Sequence, residues 1–119
     1  MINLSIIITH RNSFNELIRL LNTIPDTETI EIIVVDDKSI STTVKKLRNY
    51  SFKNNITVIY SELHTGPGKA RNIGLDKAAG DWVIFADSDD YFSVNAFELT
   101  QQFLANKEDV IYFGVNSIT

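Results

Sequence analysis

A mostly parallel α/β sheet with helices on both faces is what the sequence predicts, and three observations predict it. Five short apolar runs rich in Ile and Val recur along the 119 residues. Amphipathic stretches at helical spacing lie between them. Polar residues able to bind ligands gather directly behind the runs. Alternating strands and helices imply parallel pairing, because parallel neighbours need a long crossover that is usually a helix. Right-handed crossovers then set the loops that follow the strands along one edge, where open α/β sheets bind ligands.

Strands are expected over residues 4–8, 30–35, 56–60, 82–86 and 110–115. Runs of this length suit strands buried on both faces, and only Glu31 interrupts the second. Leu17, Leu20, Leu21 and Ile24 form the stripe of a first helix. Val44, Leu47 and Tyr50 mark a second, with Ser41, Thr42 and Thr43 as candidate N-caps. Ala70, Ile73, Gly74, Lys77 and Ala78 mark a third, with Gly80 expected at C′. Val94, Phe97, Leu99, Phe103 and Leu104 mark a fourth. The pattern stops abruptly behind the fifth strand, so residues 1–119 are expected to be one domain's N-terminal part, truncated from a longer protein.

Composition narrows the function. The chain has no cysteine, which removes disulfides and thiolate metal sites. A net charge of −4 without a Lys/Arg block argues against a nucleic-acid surface. No apolar run approaches the ~20 residues that span a bilayer, and Met1-Ile2-Asn3-Leu4 lacks the basic start of a signal peptide. A cytoplasmic protein, or one peripheral to the inner face of the membrane, is expected.

Three clusters share the predicted ligand edge: Thr9-His10-Arg11-Asn12, Asp36-Asp37-Lys38-Ser39 and Asp87-Ser88-Asp89-Asp90. Like charges at close range repel and raise one another's pKa, so something positive is expected to hold these carboxylates. In an extended segment Asp87 and Asp89 point the same way, and hard oxygen ligands suit Mg²⁺ or Mn²⁺. Taken alone, the segment reads equally well as an acidic turn. Asp36-Asp37 reads as a ribose or base acceptor, or more simply as a carboxylate at a helix N-terminus. In Gly66-Pro67-Gly68-Lys69-Ala70-Arg71-Asn72, glycines and a helix N-terminus offer N–H groups to an anion, with Lys69 and Arg71 adding charge. It is not a P-loop, because Ala70 follows Lys69. His10 and His64 read as polar loop residues rather than metal ligands.

These segments together resemble the N-terminal part of family 2 glycosyltransferases of the GT-A fold. The resemblance runs from Leu4 to about Val115 and rests on four pieces in order. They are Ser5-Ile6-Ile7-Ile8 leading to Asn12, Glu31 to Ser39, Gly66 to Leu75, and Ala79 to Tyr91. It implies nucleotide-sugar contacts from Thr9, Asn12, Asp36, Asp37, Lys69, Arg71, Asn72, Asp87 and Ser88. It makes Asp87-Ser88-Asp89 a DxD motif, with Asp89 the leading ligand of Mn²⁺ or Mg²⁺ and Asp87 beside it. It further implies inverting transfer from a nucleotide-sugar donor, with UDP as the expected nucleotide, to a hydroxyl of a glycan, lipid-linked or protein acceptor. The acceptor-activating base would lie outside this chain. Lys38 stands where the family usually has Gly, so a left-handed backbone there would be mildly strained. Two other readings stand beside this one: a non-catalytic nucleotide-binding module, and a receiver-type phosphoacceptor domain suggested by Val34-Val35-Asp36-Asp37. An exposed sheet edge would also permit a homodimer.

Overall fold

The computed structural model describes residues 2–88. Four parallel strands, β1 (Leu4–His10), β2 (Ile30–Asp37), β3 (Ile56–Ser61) and β4 (Trp82–Asp87), form one sheet in the order β3-β2-β1-β4. Three helices join them: α1 (Phe14–Leu21), α2 (Ser41–Asn49) and α3 (Gly66–Lys77). The expected fourth helix and fifth strand lie outside the described residues.

Strand alternation divides the core between two faces. Leu4, Ile6, Ile8, Ile32, Val34, Ile84 and Ala86 pack with Leu17, Leu20, Leu21 and Leu47 under α1 and α2. Ile33 and Val35 face the other way and pack with Ala70 of α3. The chain steps outward from β1 to β3 beneath α1 and α2, then returns through α3 to place β4 beside β1. Strand order therefore reverses between β1 and β4. Crevices at such switch points, outside the carboxyl ends of the strands, are the usual ligand sites of this fold.

Local details depart from expectation in instructive ways. The stripe residue Ile24 is buried, yet α1 has ended before it and its N–H bonds the Leu21 carbonyl. Ile40, not Ser41, Thr42 or Thr43, occupies the α2 N-cap, without a side-chain cap bond. The third helix begins at Gly66, because Asp37 supplies a cap from another strand. Gly80 does not take a left-handed C′ position. A Cβ there would lie 2.7 Å from the Ser5 backbone nitrogen, so close approach of two chains demands glycine. Lys38 does adopt the expected left-handed backbone, with φ 52°.

Candidate functional site

The strand period decides which polar residues can meet. His10 and Asp36 are register partners and point to the α1/α2 side. Thr9, Asp37 and Asp87 fall on the alternate positions and point to the α3 side, with Thr9 opposite Asp87. The neighbours Asp36 and Asp37 are thus directed to opposite faces. Asp36 and Asp37 are each surrounded by hydrogen-bond donors, and both pKa values lie below the ordinary carboxylate value rather than above it.

Asp36 is 1% exposed. One of its oxygens lies 2.8 Å from His10 Nδ1 and accepts the Ser39 hydroxyl at 2.6 Å, while the other accepts the Ser39 N–H at 3.1 Å. Burial pushes its pKa up, but the bonds from His10 and Ser39 outweigh this and hold it below the ordinary 3.8. Asp37, 5% exposed, accepts the Thr65 N–H at 2.8 Å and hydroxyl at 3.1 Å on one oxygen. The other accepts the Gly66 N–H at 3.0 Å and pairs with His64 at 2.9 Å. Burial again pushes its pKa up, and the bonds from Thr65 and Gly66 hold it below the ordinary value. The α3 N-terminus, read from sequence as open to an anion, already spends these two N–H groups on Asp37.

Thr9, Asp37, Asp87 and Ser88 line one open pocket of about 280 Å³ at the carboxyl edge of the sheet, over the β1/β4 switch point. Thr9 Oγ1 donates to Asp87 Oδ1 at 3.0 Å, and the Ser88 N–H donates to the Thr9 carbonyl at 3.1 Å. Arg71 Nη2 stands 3.6 Å from Asp87 Oδ1, and its buried Nε has no hydrogen-bond partner among the described residues. Arg11, Ser13, His64 and Pro67 also line the pocket, although sequence reasoning assigned none of them. The signal was available, since Arg11 and Ser13 follow β1 and His64 and Pro67 follow β3, and residues behind the strands lie on the ligand edge. Asn12 and Asp36 sit outside the lining: Asp36 is buried on the α1/α2 side, and Asn12 is exposed and bonded to Ser39 and Ile40. Lys69 and Asn72 are exposed on α3 and also lie off the lining. His10 is a buried strand residue, not a loop residue.

Asp87 is the described residue whose chemistry fits a divalent cation. Its side chain is 53% exposed, and Mg²⁺-type ions commonly use one or two carboxylates with substrate phosphates supplying further oxygens. Among the described residues no group of three or more His, Cys, Asp or Glu side chains could hold a metal by itself. The second carboxylate of the motif, Asp89, lies outside the described residues.

The family described as Glycosyl transferase family 2 matches residues 5–118. The chain belongs to glycosyl transferase family 2. Among its relatives is the poly(ribitol-phosphate) beta-N-acetylglucosaminyltransferase TarS of Staphylococcus aureus, 36% identical over 125 residues, a match covering 99% of this chain and 22% of TarS. A poly(ribitol-phosphate) beta-glucosyltransferase of Bacillus spizizenii is 35% identical over 97 residues, covering 80% of this chain and 15% of the relative. The chain therefore spans less than a quarter of the length of either relative. The crystal structure of S. aureus TarS 1–349 in complex with UDP-GlcNAc superposes with a TM-score of 0.75 at 35% identity, covering 88% of this chain and 32% of that one. A mannosyltransferase from Pyrobaculum calidifontis, solved with GDP-Man and Mn²⁺, gives a TM-score of 0.75 at 21% identity, covering 87% of this chain and 32% of that one, a likeness of fold alone. The expected GT-A-type α/β architecture is thereby established, and membership of a glycosyltransferase family removes the receiver-type reading. Among the described residues no helix is long and apolar enough to cross a membrane.

Proposed function

We propose that the chain forms the donor half of a glycosyltransferase site. It would bind a nucleoside-diphosphate sugar, UDP-linked by analogy with TarS, for inverting hexosyl transfer. The observation that carries the reading is the convergence of Thr9, Asp37 and Asp87, from three strands, on one pocket at the switch point. Thr9 and Asp37, with help from Asp36 and Asn12, receive the base and ribose. Arg71, aided by Lys69 and Asn72, meets the diphosphate, where a guanidinium pairs well with phosphate oxygens. Ser88 holds the Asp87 turn to the Thr9 carbonyl. Asp89 and Asp87 would hold Mn²⁺ or Mg²⁺, which when bound neutralises charge developing on the leaving nucleoside diphosphate.

The acceptor-activating base is assigned to residues outside this chain. A glycan is the acceptor class we propose, in keeping with the poly(ribitol-phosphate) named for two relatives and with a role in polysaccharide biosynthesis. Placement in the cytoplasm, peripheral to the membrane, and homodimerisation through a sheet edge complete the proposal. A monomer by light scattering at high concentration counts against the dimer. Calorimetry with UDP and Mn²⁺ tests the site: Asp89→Ala should abolish the metal-dependent part of binding. Unchanged affinity and unchanged Mn²⁺ dependence would refute the metal assignment. UDP binding without any transfer when the chain is joined to its downstream residues would favour the non-catalytic module.

A further inference from the structure

His10, 2% exposed, also lines the pocket and has no part in the reading above. Both ring nitrogens are engaged. Nε2 accepts the Ser13 N–H at 3.0 Å, and Nδ1 lies 2.8 Å from Asp36 Oδ1. A ring nitrogen that accepts carries no proton, so the proton sits on Nδ1 and is donated to Asp36. Asp36 also accepts the Ser39 hydroxyl at 2.6 Å, and Ser39 Oγ accepts the Asn12 N–H at 2.8 Å. Two consecutive amides of the β1–α1 loop, Asn12 and Ser13, are thus tethered to one carboxylate, the first through Ser39 and the second through His10. Asn12 is left-handed at φ 55°, a conformation that asparagine adopts more readily than most non-glycine residues and that turns the loop at this point. Arg11 and Ser13, on either side of it, line the pocket.

We propose that His10 is a positioning residue for nucleoside-diphosphate binding: fixed as the Nδ1–H tautomer, it links Asp36 to the Ser13 amide and so holds the Arg11–Ser13 wall of the pocket in place. The proposal rests on the donor-site reading above. An imidazole is suited to the task because one rigid ring donates at one nitrogen and accepts at the other.

Two variants divide the link. His10→Asn retains an N–H near the Nδ1 position and gives up Ser13, whereas His10→Gln sets a carbonyl near the Nε2 position and gives up Asp36. His10→Asn should melt closer to wild type yet bind UDP about five- to tenfold more weakly, the loss of roughly one net hydrogen bond, with faster amide exchange at Ser13. His10→Gln should melt lower yet keep the better UDP affinity of the two. A merely structural histidine would make affinity follow melting temperature in both variants, and that result overturns the proposal. A long-range ¹H–¹⁵N spectrum of the unliganded wild type is expected to show the Nδ1–H ring. An Nε2–H ring overturns the proposal whatever the variants do. Absence of UDP binding by the wild type refutes the donor-site reading and this one with it, whereas equal binding by wild type and His10→Asn refutes only the positioning role.

Discussion

Asp37→Asn is the substitution whose consequences the structure fixes most closely. The carboxylate faces donors on both oxygens: Thr65 N–H and hydroxyl at 2.8 and 3.1 Å on one, Gly66 N–H at 3.0 Å and His64 at 2.9 Å on the other. An amide can turn its oxygen to only one side. Its NH₂ must then confront a backbone N–H at the start of α3, leaving that donor unsatisfied. Such a group costs about 1–3 kcal/mol, and bonds to a charged acceptor lie in the upper part of that range. The His64 contact adds little, because an ion pair with a half-exposed partner contributes about 0–1 kcal/mol. A loss of about 2 kcal/mol is therefore expected. For a domain of this size it corresponds to a melting temperature lowered by roughly 6–12 °C. Differential scanning calorimetry measures it, with His64→Ala as the control that should move by no more than a few degrees. An Asp37→Asn chain that melts within a degree of wild type would show that Asp37 does not cap α3.

Gly74→Ala presses a methyl to within 2.5 Å of Ile7 Cγ2, and a β-branched side chain in a fully buried strand has little room to yield. Overpacking of about 1–3 kcal/mol against a helix-propensity gain of about 1 kcal/mol leaves a net loss of about 0–2 kcal/mol, with a central value of about 1 kcal/mol read as a lower urea midpoint. Ser5→Ala removes the hydroxyl that donates to Glu31 at 2.5 Å and accepts the Gly80 N–H at 2.9 Å. The orphaned Gly80 N–H should cost about 1–3 kcal/mol by thermal melting. Asp36 and Asp37 have folded pKa values below the ordinary 3.8, so the unfolded chain binds protons first. Their stabilisation is fully present above that value and is lost as pH falls below it towards the folded pKa values. Acid unfolding followed by circular dichroism should begin below about pH 4, and Asp36→Asn should flatten that acid limb.

The sheet was legible because Ile- and Val-rich runs of strand length leave little choice of period, and register follows once both faces must be buried. Helix starts were less so. The cap of α3 comes from Asp37, 28 residues before the Thr65 whose N–H it accepts, and no local motif encodes that. Gly80 was misassigned because a C′ glycine and a glycine pressed against Ser5 look alike in sequence. The site was legible as a set of strand-end clusters. Which members face the pocket was settled only by strand alternation, which sends Asp37 to it and Asp36 away. Arg11 was legible as a member of its strand-end cluster, but a single basic loop residue carries no pattern that gives it a role, and the fate of His10 depended on Ser13 and Asp36 closing around it.

The most direct test of the donor-site account is amide chemical-shift mapping of the ¹⁵N-labelled chain titrated with UDP and Mg²⁺. The account predicts shifts concentrated at Thr9, Arg11, Asp37, His64, Arg71, Asp87 and Ser88. The cavity of about 630 Å³ at the opposite end of the sheet, lined by Glu28, Glu31, Asn55 and Thr57, should stay unchanged. Shifts confined to that opposite cavity, or none anywhere, would contradict it.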